Sequence, residues 1–277
     1  MRFAPQRSHA NCELLRGTAS EDGFGDLFSM KPLAVIVVAI SVSLCASESD
    51  AADTVLKVDY YDFLENGTPA GTYGGHLGVG QPDFQNQSCG LATGLVQSTL
   101  VNRKPVFASS TGSNAHCASI ASYKSFHAWF KAQRAVNTHV KGALTLQDMG
   151  NGTFQYSNLN FFPLDGKGFN TDGSQSHASC TGGLHNFSFT MQAHWTGTIT
   201  NNAQSISITA ADDVWLFVNN KLVIDLGGVH GATTGSISFS SVELASLGMS
   251  LNQAVPFDLF YANRHTCLSA FTLTMHQ

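Results

Sequence analysis

Val214-Trp215-Leu216-Phe217-Val218-Asn219-Asn220-Lys221-Leu222-Val223-Ile224-Asp225-Leu226 is two apolar runs parted by an Asn pair. Asparagine tolerates the positive φ that both central residues of a tight hairpin turn need, so the stretch reads as two antiparallel strands. Upstream, Phe187, Phe189, Met191, Ala193 and Trp195 alternate with Ser188, Thr190, Gln192 and His194, the period of a half-buried strand. Ile206 and Ile208, then Phe257, Leu259 and Tyr261, then Phe271, Leu273 and Met275 repeat the pattern. Short strands separated by Gly and Asn turns predict an all-β fold, an antiparallel β-sandwich or barrel. The exception is 122–136, where Tyr123, Phe126, Trp129 or Phe130, and Arg134 recur at helical spacing and predict one short helix. His127 beside that face reads as a packed or rim histidine.

The chain has 277 residues, and 14 Lys+Arg against 19 Asp+Glu give a net charge of −5. That balance offers no cationic footprint for a phosphate backbone, so no nucleic-acid partner is expected. Met30-Lys31-Pro32 opens into the apolar run Leu33 to Leu44, followed by small residues Cys45, Ala46 and Ser47. This order is that of a secretory signal peptide over 30–46, with translation expected to begin at Met30 and 1–29 lying upstream of it. The run is shorter than the roughly 20 residues a membrane helix needs, so no span is expected to remain after its removal. A short polar linker (47–56) then leads into one domain (57–277), a secreted, extracellular or cell-surface protein. Oligomeric state is not readable from the sequence.

Beyond the signal lie Cys89, Cys117, Cys180 and Cys267, an even set in an oxidising compartment. Three connectivities are open, with Cys89–Cys117 and Cys180–Cys267 preferred. Sequons at Asn66, Asn86, Asn151 and Asn186 are candidate glycosylation sites, Asn186 being the one at a strand start.

Enzyme signatures are missing: there is no G-x-S-x-G, H-E-x-x-H, G-x-x-x-x-G-K-[ST] or G-x-G-x-x-G motif. Asp212-Asp213, where a loop enters an apolar strand, is the stretch with chemical content. Calcium takes six to eight oxygen ligands, and two neighbouring carboxylates supply several. Adjacent strand side chains point to opposite faces, so aiming both at one ion calls for an unusual backbone such as a non-proline cis bond. The alternative is a solvated acidic loop tip. Trp215 reads as core, whereas Trp195, ending its strand, is a candidate sugar platform.

Asp212 to Gly231 (DDVWLFVNNKLVIDLGGVHG) resembles the signature of the fibro-slime domain, a relative of the protective-antigen-like lectin modules. Gln81-Pro82-Asp83-Phe84, Lys104-Pro105-Val106, Phe161 to Gly166, His185-Asn186-Phe187 and Phe260 to His265 extend the resemblance over nearly the whole exported chain. It implies a protective-antigen-like β-sandwich in adhesive, polysaccharide-binding proteins. In the lectin relatives a cis bond joins the two aspartates, which hold calcium with a second loop. Here that implies Asp212, Asp213, Asn263 and His265 as metal ligands, and these with Arg264 and Trp195 as the glycan-binding set. His230, Asp225 and His265 would form a polar network beneath the ion. The family usually carries a third acid where this chain has Ala211, and a glutamate where it has Asn263. Two missing charges imply weak calcium binding, in the 10⁻⁴–10⁻³ M range of extracellular modules. The expected function is a non-enzymatic, lectin-like adhesion module for cell-wall or matrix polysaccharide. The alternatives are a matrix or protein-binding structural module without a live ion site, and a polysaccharide-acting enzyme.

Overall fold

The computed structural model describes residues 53–85 and 88–277. The expected upstream segment (1–29), signal peptide (30–46), most of the linker and the Asn86 sequon lie outside the described residues. Strand β1 (Thr54–Phe63) begins inside the expected linker. The remaining strands of the main sheet are β4 (Asn137–Asp148), β5 (Thr153–Asn158), β8 (Phe189–Thr198), β9 (Ser205–Ala211), β10 (Asp213–Val218), β11 (Lys221–Leu226), β12 (Thr233–Ser238), β13 (Ala254–Asn263) and β14 (Ala270–His276). Two small hairpins, β2 (Gly71–Tyr73) with β3 (His76–Gly78) and β6 (His177–Ala178) with β7 (Leu184–His185), lie apart from it.

The main sheet runs β11-β10-β13-β8-β1-β4-β5-β14-β9-β12, with every neighbour antiparallel. Its ends fold back towards each other: a Cβ built on Gly235 of β12 would lie 2.7 Å from Ile224 Cγ2 of β11. The sheet therefore encloses one core in barrel-like fashion, filled by residues such as Leu144, Met191, Leu216, Ile208, Leu259 and Leu273. The Asn219–Asn220 turn joins β10 to β11 with φ of 49° and 65°, the left-handed pair that the sequence demanded.

β10 is buried on both faces. Val214, Leu216 and Val218 enter the main core, while Trp215 and Phe217 enter a second cluster with Phe84, Leu95, Phe126, Trp129 and Phe260. Segment 79–136 supplies that outer cover, which is why the β10 run is continuously apolar rather than alternating. β8 likewise is not the half-buried strand of the sequence reading, since Thr190 and Gln192 on its polar face are buried too.

The helix expected over 122–136 shrinks to α1 (Tyr123–Phe126), opened by a Ser122/Ser125 capping box. Further on, the Asn137 amide donates to the carbonyls of Ala128 and Lys131 at 2.9 Å each, taking acceptors that a continuing helix would use. A second helix, α2 (Ser241–Ser246), was missed. Ser240 three residues before Glu243 is its N-terminal signal.

Of the sequons, Asn66 and Asn151 are exposed, but Asn186 is 1 % exposed and its amide donates to Asp62 Oδ1 at 2.7 Å. The Asn186 expectation is corrected: its nitrogen is spent inside the fold. Burial pushes the Asp62 carboxyl up from 3.8 to about 7, against the bonds donated by Asn186 and Phe169. The folded state therefore keeps a proton that the unfolded chain loses near 4, and this stabilisation disappears as pH rises through 7. The melting temperature is expected to fall by a few degrees between pH 5 and 8, and Asp62→Asn to reduce that slope, with the buried Asp212 carboxyl supplying part of the remainder. A slope identical in the variant would place its origin elsewhere.

Candidate functional site

Three segments converge at one end of the sheet: Ala211 to Asp213 entering β10, Gly227 to Gly231 leaving β11, and 263–269 between β13 and β14. Their centre is Arg264, fully buried. Its Nε donates to Asp213 Oδ2 at 2.7 Å and its Nη2 to Asp213 Oδ1 at 3.1 Å. The other contacts reach Ser119 O at 2.6 Å, Ser119 Oγ at 2.9 Å and Asp83 O at 3.3 Å, and the guanidinium carbon sits 4.8 Å from the Trp129 ring centre. Trp129 Nε1 in turn donates to Asp83 Oδ2 at 2.9 Å. Burial works against the Arg264 charge, but Asp213 beside it holds the pKa above the ordinary value.

The two aspartates thus part company. Asp213 spends both oxygens, on Arg264 and on the Gly228 N–H at 2.6 Å. Asp212 accepts one backbone N–H on each oxygen, from His230 at 3.1 Å and Arg264 at 2.9 Å, and keeps lone pairs to spare. Burial pushes its carboxyl up to about 7. Neither aspartate is a solvated loop tip, as both are buried. The cis peptide bond stands between Ala211 and Asp212, one residue ahead of the expected Asp212–Asp213 link.

Gly228, at φ 101°, is where the segment leaving β11 requires glycine, because a Cβ there would lie 2.3 Å from Gly90 O. That approach lets Ala92 N donate to Gly227 O at 2.6 Å and delivers the Gly228 N–H to Asp213. Asn263 is fully buried at the end of β13; no hydrogen bond of ordinary geometry reaches its amide, although the Tyr261 hydroxyl lies beside it.

The remaining expectations divide. Arg264 is corrected as a sugar contact, since no part of it reaches solvent. Trp195 is corrected as a platform: it is 9 % exposed and stacked on Phe257 at 5.3 Å. His265 is half-buried at the rim, its Nδ1 against the Thr266 carbonyl. The expected His230, Asp225 and His265 network does not assemble. His230 bonds the carbonyls of Gly231 and Leu226, and Asp225 takes Trp215 Nε1 at 3.0 Å and Gly94 N at 2.7 Å. Both preferred disulfides form, Cys89–Cys117 and Cys180–Cys267. Sequence reasoning missed Ser119, Asp83 and Trp129 as the cage of Arg264, and no local signal pairs them with it.

Residues 175–276 match the family model of the PA14 domain. This PA14 match contains all three converging segments entirely, while β1, β4 and β5 of the sheet lie outside it. The chain is similar to three proteins of Dictyostelium discoideum. These are protein psiR (36 % identity over 67 % of the chain), protein psiQ (35 % over 69 %) and protein psiB (30 % over 86 %). The chain spans only 18 %, 19 % and 41 % of their respective lengths. Among solved structures it resembles the PA14 domain of the MpAFP antifreeze protein (TM-score 0.30, 9 % identity, 82 % of this chain and 87 % of that one). A PA14 sugar-binding domain from an RTX adhesin is also similar (TM-score 0.32, 12 % identity, 81 % and 90 %). Among the described residues no helix is long and apolar enough to cross a membrane. Nor do three or more His, Cys, Asp or Glu side chains group to hold a metal.

Proposed function

We propose that this chain is a secreted, non-enzymatic glycan-binding adhesion module of the fibro-slime type. In this reading the loops 211–213, 227–231 and 263–269 form its sugar-binding end. The match of 175–276 to the PA14 domain and the Asp212 to Gly231 signature support that reading. The observation that carries it is the buried, unpartnered Asn263 amide beside Arg264, whose own N–H meets Asp212. An orphaned buried amide costs about 1–3 kcal/mol and calls for a ligand.

The donor set fits calcium in part. Asp212 and the Asn263 carbonyl have oxygen lone pairs to offer, the Asp213 carboxylate is already paired with the Arg264 guanidinium, and the imidazole of His265 is a poor ligand for a hard cation. Calcium, when bound, supplies a positive centre that neighbouring sugar hydroxyls complete. One carboxylate in place of two implies millimolar affinity. Arg264 and Asp213 position the ligands by fixing the 263–269 loop against β10.

The test is the melting temperature of the full chain in calcium and in chelator, run beside retention on a polysaccharide panel. An ion at ten times its Kd contributes about 1.4 kcal/mol, a rise of a few degrees. Asp212→Asn and Asn263→Ala are expected to abolish the rise and the retention together. Asp213 is unsuitable for this purpose, because removing it strands a buried arginine. Retention that persists unchanged in chelator would remove the ion from the reading, and no retention on any polysaccharide would remove the module.

A further inference from the structure

Charge in this chain is segregated. Between Asp83 and Asp148 there is no Asp or Glu, while Arg103, Lys104, Lys124, Lys131, Arg134 and Lys141 all fall there, so the stretch carries six positive charges in a chain of net −5. Up to residue 136 this stretch covers the outer face of the sheet, Lys141 standing on β4 itself, and the cover opens a cleft of about 580 Å³ between residues 101–107 and 123–131. That volume is within the usual range for a ligand site. Phe107, Tyr123, Phe126 and Phe130 form an aromatic wall, Lys104 and Lys131 stand at the edges, and no carboxylate lines the cleft. Tyr123 is 60 % exposed, with its ring edge-on to Phe107 at 6.3 Å.

Both walls are held in place. On one side Val101 and Lys104 exchange backbone hydrogen bonds of 3.0 Å across Asn102 and Arg103, whose φ values of 51° and 56° make a tight turn. Arg103 pins that turn to Asp258 of β13 at 2.7 Å, and the Lys104 ammonium bonds Gln192 of β8. On the other side the Ser122 cap and the Asn137 amide fix the turns around α1. A preformed cleft spends little of its binding energy on ordering.

We propose that this cleft is a second saccharide subsite, selective for acidic polysaccharide, that is, for a pyranose carrying a carboxylate or sulfate. The C–H face of the sugar packs on the electron-rich face of Tyr123. The anionic group meets Lys131, whose side chain is exposed, because Lys104 is already engaged by Gln192. A protein of net −5 repels a polyanion on average, and a basic patch offsets that repulsion locally, so charge placement favours this face and this class of ligand. The subsite lies on different elements from the Asp212 loops and needs no ion.

The experiment is calorimetric titration of the full chain, in chelator, with oligogalacturonate, heparin oligosaccharide and neutral maltodextrin of matched length. Oligothymidylate serves as a non-saccharide polyanion. Binding of either acidic saccharide at least tenfold tighter than maltodextrin is expected. Tyr123→Ala is expected to weaken it about tenfold. Lys131→Gln should weaken it several-fold and reduce its dependence on salt. Both side chains are exposed, so unchanged melting temperatures certify folded variants. Equal affinity for maltodextrin, indifference to both substitutions, or tighter binding of oligothymidylate would overturn the proposal. Because chelator is present throughout, the result is independent of the fate of the loop site.

Discussion

Arg264→Met is expected to destabilise the domain by about 3–5 kcal/mol, the cost of leaving one partner of a buried ion pair uncompensated. At this chain length the loss lowers the melting temperature by roughly 10 °C. The size follows from what the guanidinium joins: Asp213 on β10, Ser119 and Asp83 in the cover segment, and the face of Trp129. No shorter cation reproduces it. Lysine keeps the charge but offers no planar fork, so Arg264→Lys should recover only part of the loss. Combining Arg264→Met with Asp213→Asn removes both charges and should melt above the single Arg264→Met variant, although Gly228 then has a weaker acceptor. Thermal melts of the four proteins decide it. An Arg264→Met domain that melts within a degree or two of the parent would mean that this pair does not hold the loops to the cover.

Removing the Cys180–Cys267 disulfide, by Cys180→Ser with Cys267→Ser, is the second large effect, a loss of about 2–4 kcal/mol. This bridge spans 87 residues and the Cys89–Cys117 bridge spans 28. Closing the longer loop takes more entropy from the unfolded chain, so its loss should cost about 1 kcal/mol more. The bridge also ties the 263–269 loop to residues before β7, where Cys180 N and Ser179 Oγ each reach Cys267 O at 3.1 Å. Melting temperatures of the two double-serine variants, compared in one buffer, give the order. The reverse order would show that residual structure in the unfolded chain, rather than loop length, governs the stabilisation.

The ion-site reading shows how a correct motif can mislead about geometry. Asp212-Asp213 was legible as a pair, and the pair does sit at a convergence of loops. Sequence spacing treats its two members alike, yet the fold pairs Asp213 with a buried arginine and gives Asp212 only backbone N–H partners. Arg264 stood among the expected glycan contacts because it lies in the second loop that the family resemblance implies. It is an internal strut because Asp83 and Ser119, 181 and 145 residues away in sequence, fold over it. Trp195 looked like a platform at the end of an alternating strand, and the stack with Phe257 turned it inward.

What the sequence determined by itself was what short-range physics controls. Two-residue alternation marked β8, β13 and β14, and the Asn pair with positive φ set the β10–β11 hairpin. Cysteine parity in an oxidising context gave two bridges. Tertiary structure alone decided which faces were covered. Segment 79–136 has little regular structure, so its packing on Trp215 and Phe217 left no periodic trace, and the halt of α1 depends on the Asn137 side chain. Partner choice for a buried charge is of the same kind. It follows from which donors the topology brings within 3 Å, and that distance is set by strand order rather than by neighbours along the chain.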